Sequence, residues 1–449
     1  MANSEKQYID LYKGNRNVVD AHGSVVMNAV RDKAMADFER LGFPSLKDEK
    51  YRYTDVDKVF SDDYGLNIAR LAFPVNPYEA FKCDVPNLST QLYFMENDMF
   101  YTGASGVPAF DQGIFVGSLK QASEIYPELV AKYYAKAAET SSDAITALNT
   151  AFAQDGMFVY VPKNVKLSKT VQVVNILRSD VDMMVNRRVL VVLEEGAEAT
   201  LLFCDHAADS VRFLTTQVVE VYCGDNSHLD MYELEETHVK CSRFSNMYVH
   251  AGRDCSVNLN NITLYNGLTR NTTCVAMEGE GSEVVLNGCV IADKNQHVDN
   301  NTLIDHRVPH CTSRELYKYV LDDSAVGAFA GKILVREGAQ KTSSQETNAN
   351  LCATSDARMY TQPMLEIYAD DVKCAHGATV GQLDERAMFY MQQRGISREE
   401  ARMMLMFAFV GQVIDEIKLE PLRDRLHHLV EKRFRGELSK CAGCGLCRP

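Results

Sequence analysis

The sequence predicts a mainly β chain centred on a parallel β-solenoid, and two observations predict it. From Met157 the apolar pattern takes a period of two, in Phe158-Val-Tyr-Val161, Val189-Leu-Val-Val-Leu193, Val218-Val-Glu-Val-Tyr222 and Val284-Val-Leu286. Alternation rich in β-branched residues marks strands. The second observation is a repeat. Gly196-Ala-Glu-Ala-Thr-Leu201, Gly224-Asp-Asn-Ser-His-Leu229, Gly252-Arg-Asp-Cys-Ser-Val257 and Gly279-Glu-Gly-Ser-Glu-Val284 share one pattern, and their glycines fall 28, 28 and 27 residues apart. A turn recurring once per coil, with no helical segment between, fits coils that bury apolar side chains against one another. A β-sandwich would place its turns about every 8–12 residues. The four glycines are therefore expected to stack at equivalent corners. Past Gly279 the repeat degenerates, through Asp322-Asp-Ser-Ala325 and Ser355-Asp-Ala357, while strand character persists to about Val380.

Before the solenoid the chain reads as mostly helical. Val26, Val30, Ala34 and Phe38 recur at four-residue steps from Ser24 to Leu41, and Gly42 with Pro44 closes the helix. Glu49-Lys-Tyr-Arg-Tyr-Thr-Asp55 has the composition of a surface loop. Residues 70–120 mix strand-like runs, Gln91-Leu-Tyr-Phe94 and Gly113-Ile-Phe-Val116, with turn residues and fix no element. A helical segment from Pro127 to Ala153 ends at Asp155-Gly156.

After the solenoid the period returns to helical. Ser397-Arg-Glu-Glu400 is a capping box. Ala401, Met404, Leu405, Ala408, Phe409, Val413 and Ile417 form a stripe, and Pro421 opens a second helix carrying Leu422, Leu426, Leu429 and Val430. Two helices have little core of their own, so part of this face, rich in Met403, Met404 and Met406, is expected to serve a partner. The resulting organisation is an N-terminal region 1–155, a β-helix core 156–380 and a C-terminal helical domain 381–449 with a Cys-rich tail.

Composition sets outer limits. Hydrophobic residues at 46% and charged residues at 24% describe an ordinary globular chain. A net charge of −14 with no Lys/Arg stripe argues against a nucleic-acid partner. The polar start Met-Ala-Asn-Ser-Glu-Lys-Gln holds no signal-peptide core. The longest apolar run, Met403 to Ile414, is broken by Gly411 and Gln412 and is too short to span a bilayer. A cytoplasmic protein is expected, with its 13 cysteines reduced and most of the scattered ones packed as small hydrophobes.

Nucleotide loops, a Gly-x-Ser-x-Gly elbow and His-Glu-x2-His are all missing. Acidic residues are plentiful, yet no carboxylate pair stands out as a lyase or glycosidase site would require. Asp305-His-Arg-Val-Pro-His-Cys311 is dense in ligand types, but polar side chains on a solenoid edge account for it. Cys374 and His376 differ. If Val372 to His376 is extended, both point to one face, and Gly377 suits a strand turning into a helical segment. From the residues alone, packing and metal chemistry both fit this pair. The tail places Cys441, Cys444 and Cys447 in two successive Cys-x2-Cys steps, fit either for one soft metal or cluster or for a thiol-rich terminus.

Several blocks carry a family resemblance: Asp305 to Ser313, Glu315-Leu-Tyr-Lys-Tyr-Val-Leu-Asp-Asp323, Gly331-Lys-Ile333 with Lys341-Thr342, and Leu365 to Gly381 with Asp384 and Phe389-Tyr390 to Ile396. With Tyr53-Thr54-Asp55 and Leu148 to Gly156, they resemble the SufB/SufD family of the SUF iron–sulfur assembly system. The string Lys373-Cys-Ala-His-Gly-Ala-Thr379 is similar to the SufD branch. SufB proteins flank the matching His with Glu and carry a cluster-building Cys upstream, where this chain has Ala375, Gly377 and Ile367. The resemblance implies a right-handed parallel β-helix between helical domains and a non-enzymatic scaffold role. It also implies pairing with a SufB-type paralogue along the β-helix and docking of a SufC-type ATPase through the C-terminal helices. His376 becomes the candidate metal ligand near the SufB interface, with Cys374 as companion, for a transient iron–sulfur cluster. No cofactor is expected to stay tightly bound to the isolated chain, for which a homodimer is one expected state. The tail cysteines fall outside the family pattern. The rival readings are a β-solenoid carbohydrate lyase or hydrolase and a purely structural solenoid.

Overall fold

A computed structural model describes residues 3–71, 77, 90–102 and 111–437. Its centre is two ten-stranded sheets whose strands alternate along the chain, so that each coil contributes one strand to each sheet. One sheet runs from Phe115–Ser118 through Met157–Val161 and Met183–Leu193 to Arg358–Ile367. The other runs from Met99–Phe100 and Gln91–Glu96 through Val171–Leu177 to Lys373–Gly381. Neighbours from Met157 onward pair in parallel, as the solenoid reading requires. The two ambiguous runs near 91 and 115 are strands that extend both sheets at the N-terminal end.

Period-two alternation works as expected on the inner face. Leu201, Met231, Leu259 and Leu286 stack in register, coil upon coil, within the central apolar core. The alternate residues are apolar too, because both outer faces are covered. Met184, Leu214 and Phe244 pack under helices Asn3–Ala21, Val25–Leu41 and Ala144–Phe152. Leu202, Tyr232, Ile262 and Cys289 pack under Arg398–Ile414 and Glu420–Phe434. Ser397 caps its helix as the sequence indicates, accepting from Glu400 N at 3.1 Å, and Ser24 does the same for its own, accepting from Met27 N at 3.2 Å.

Two expectations need correcting. Gly224, Gly252 and Gly279 do stack, donating to Leu193 O, Cys223 O and Ala251 O. What selects glycine there is close approach of successive turns: a Cβ on Gly279 would lie 1.9 Å from Arg253 N. Gly196 does not join them. It stands two residues further along its turn, with φ of 67°, in a column with Asn164, Asn226, Asp254 and Gly281. That column needs the left-handed conformation, which Asn and Asp tolerate almost as glycine does.

The second correction concerns the C-terminal helices. The solenoid's outer face buries Ala401, Met406, Val410, Val413, Ile414 and Ile417, while Met404 and Ala408 face outward. Of the expected stripe Ala401, Val413 and Ile417 are buried, and Met406, Val410 and Ile414, which lay outside it, complete the intramolecular core face. Arg433 pins the last helix, donating to Leu264 O at 2.7 Å, Asp293 Oδ2 at 2.6 Å and Gln296 Oε1 at 2.9 Å.

Candidate functional site

The C-terminal end of the solenoid is open. Strands Arg358–Ile367 and Lys373–Gly381 each pair along one edge only among the described residues. Inward side chains are buried one coil earlier, at Ser344, Glu346, Asn348 and Asn350, but Ile367 and Val380 in the last coil are exposed.

Cys374 and His376 lie on the second of these strands, two residues apart. Register puts Cys374 over Ser344 and Ser313, and His376 over Glu346 and Glu315, all on the inward face. Cys374 is half-buried against Ile333, Val335, Ala339 and Ala369. Burial raises its thiol pKa, a backbone hydrogen bond at Ser344 opposing the shift only in part. His376 is exposed. Imidazole and thiol are borderline and soft ligands of the kind iron accepts, but two ligands alone would not complete its coordination.

Gly377 does not play the turning role expected of it. The strand continues to Gly381 and the next helix starts at Glu385, and open space surrounds a Cβ built at Gly377. Asp371 is engaged elsewhere, ion-paired with Lys341 and accepting its N–H at the corner. The dense segment Asp305–Cys311 scatters its side chains. Asp305 accepts from Arg336 at 2.9 Å and Arg307 at 2.8 Å. His306 bonds inward to Ser313 Oγ at 2.9 Å, and Cys311 contacts Ser282 Oγ at 3.3 Å. No group of three His, Cys, Asp or Glu is arranged for a metal ion among the described residues. Cys441, Cys444 and Cys447 lie outside the described residues.

Inside the solenoid, sequence reading missed two sets of charges. Arg187 reaches Asp205 at 2.7 Å, and Arg243 bridges Asp205 and Glu233 at 3.2 Å each. Burial alone would raise Asp205, but Arg187 and Arg243 outweigh it and hold its pKa low. Glu235 accepts from Thr269 at 2.9 Å, yet burial pushes it up to about 7. The second set is Glu315 and Glu346, stacked below His376. The signal that finds them is a repeat: Ser313-Arg-Glu315, Ser344-Gln-Glu346 and Cys374-Ala-His376 occupy one position on three successive coils.

Two family models match the chain. The SUF system FeS cluster assembly SufBD core domain covers residues 175–409, and the SufBD protein N-terminal region covers 2–173. An iron–sulfur cluster assembly SufBD family protein of Synechocystis is 28% identical over 409 residues, 88% of each chain. The iron–sulfur cluster assembly protein SufD of Escherichia coli is 26% identical over 400 residues, 88% of this chain and 90% of that protein. SufD of Bacillus subtilis is 26% identical over 328 residues, 72% of this chain and 75% of that protein. None of the helices among the described residues is long and apolar enough to cross a membrane. With the solenoid and its Cys-x-His end in place, the chain belongs to the SufBD family of iron–sulfur cluster assembly proteins, on its SufD-like side.

Proposed function

We propose that this chain is a non-enzymatic scaffold subunit that pairs through the open end of its solenoid with a SufB-type paralogue. His376, with Cys374 as the weaker companion, meets the nascent iron–sulfur cluster at that junction. The observation that carries the reading is the open end itself. Among the described residues both sheets stop at strands with a free edge, and unpaired edges with apolar side chains are templates for another chain. His376 stands on one of them. In the absence of a paralogue the same edges offer themselves to a second copy of the chain, and the isolated protein is expected to form a homodimer through them. A carbohydrate lyase or hydrolase needs carboxylates in an open groove, whereas Glu315 and Glu346 are 1% exposed.

The test is anaerobic reconstitution with iron and sulfide in the assembled complex. His376→Ala is expected to leave folding and complex formation intact and to cut cluster yield several-fold. Normal yield per folded complex would reduce the imidazole to a bystander.

The same reading gives the C-terminal helices to a SufC-type ATPase. Its support is what remains outside the intramolecular core: Phe389 at 62% and Tyr390 at 59% exposure, with Met404 also facing outward. Large apolar side chains this exposed beyond a satisfied core suit a protein contact. Phe389→Ser/Tyr390→Ser should weaken ATPase capture at least tenfold while the melting temperature holds. Undiminished capture moves the docking surface elsewhere.

A further inference from the structure

The last coils hold two buried carboxyls that no Lys or Arg among the described residues answers. Glu315 and Glu346 occupy the same inward position on successive coils. Neither carboxyl has a hydrogen-bond partner among the described residues, and neither faces a Lys or Arg. Thr302 on the opposite sheet lies against Glu315. Thr302 is 2% exposed, and its hydroxyl is close enough to favour the ionised carboxyl, yet it closes no hydrogen bond of ordinary geometry. Opposite Glu346 stands Gly331, where a Cβ would come within 2.5 Å of the Oε1 atom. Only the missing side chain leaves that carboxyl its place.

Burial raises Glu346 to about 7 and lifts Glu315 well above the ordinary carboxyl value, the neighbouring Glu346 charge adding to the Glu315 shift. Two neighbouring buried carboxyls become neutral in one of two ways. They hold protons, or they share a cation. Earlier coils supply the cation from the protein, as Arg187 and Arg243. Here the unused oxygens, the Thr302 hydroxyl and an open end one coil away favour a cation from outside.

We propose that Glu315 and Glu346, with the Thr302 hydroxyl, form an internal site for one hard divalent cation, Fe(II) in the cell. Only the identity of the cation rests on the function proposed above. Oxygen donors suit Mn(II), Mg(II) and Fe(II), with water completing the coordination. Binding forms coordinate bonds to the carboxylates and releases their protons to solvent; nothing is oxidised or reduced. His376 follows Glu346 in register, about 4.8 Å further along the stack. A cation held by the pair is thus stored beside the residue proposed to meet the cluster.

The experiment uses the full-length isolated chain, anaerobically, with Mn(II) as a hard probe that thiols bind poorly. Free Mn(II) is followed by electron paramagnetic resonance and released protons by pH-stat. The wild type should take up one Mn(II) per chain with proton release, and Fe(II) should compete for it. Glu315→Gln/Glu346→Gln should bind at least tenfold more weakly. Gly331→Ala, which keeps both carboxyls, should weaken binding by less. If the double variant fails to fold, Glu346→Gln alone supplies the comparison. Unchanged affinity in the Gln variants, or no uptake by folded wild type, overturns the site and leaves a pair that only holds protons. Neither result touches the His376 experiment in the complex, and a negative result there leaves the cation site standing.

Discussion

In the middle coils Arg187, Asp205, Glu233 and Arg243 lie inside the solenoid with each charge answered by another; in the last coils Glu315 and Glu346 lie inside it unanswered. Both sets are buried, so both forfeit hydration that their surroundings must replace. The middle set replaces it with ion pairs and with donors from Gln217 and Asn175. The end set sits one coil from an open mouth. Matched buried charge serves the frame. Unmatched buried charge beside an exit marks a place where something else is meant to arrive.

The largest effect expected from this contrast is at Arg243. Arg243→Met removes the cation that Asp205 and Glu233 share, and uncompensated buried charge costs about 3–5 kcal/mol. Denaturant unfolding measures it. Glu315→Gln/Glu346→Gln, by contrast, removes no partner and should leave stability level or raised. A double variant that loses as much as Arg243→Met would erase the distinction between the two regions.

The next effect is in pH. Glu346 titrates at about 7 in the folded chain against 4.5 ordinarily, because burial penalises its charged form. An acid raised on folding contributes stability that is fully present below the ordinary value and is lost as pH rises through the folded one. Metal-free wild type should therefore lose on the order of 3 kcal/mol relative to Glu346→Gln as pH rises from 4.5 past 7. Saturating Mn(II) should restore much of that loss. A constant difference between pH 5 and 8 would mean that Glu346 ionises freely where it stands.

Much of this contrast was hidden in the sequence, for physical reasons. The solenoid was legible because alternation and crowded-turn glycines are local signals. Even there the repeat misled at Gly196, since its spatial equivalents are Asn226 and Asp254, which tolerate the same backbone. Cys374 and His376 were legible as a pair because strand spacing alone sets their common face. Glu315 and Glu346 were not, since their proximity arises only when coils 31 residues apart stack. The burial of the C-terminal stripe was also out of reach. It depends on outward residues such as Leu202, Tyr232 and Ile262, which the alternation argument assigns to solvent.

The smallest effect sharpens the comparison at single thiols. Cys289 is fully buried in the apolar layer beneath the C-terminal helices, and burial pushes its thiol up to about 12. Cys374 is half-buried at the open end, over Ser344. Serine has nearly the shape of cysteine but carries a hydroxyl that requires a partner. At Cys289 the hydroxyl enters an apolar layer, so Cys289→Ser should cost about 1–3 kcal/mol. At Cys374 water is within reach, so Cys374→Ser should cost less than about 1 kcal/mol. Cluster yield in the complex then separates two roles that stability does not. A fall well short of that caused by His376→Ala would rank the thiol as a packed companion to the imidazole. A fall equal to it, with folding unchanged, would make Cys374 a ligand of the same standing, and its half-burial would be the means by which the open end shields a thiol until the partner closes over it.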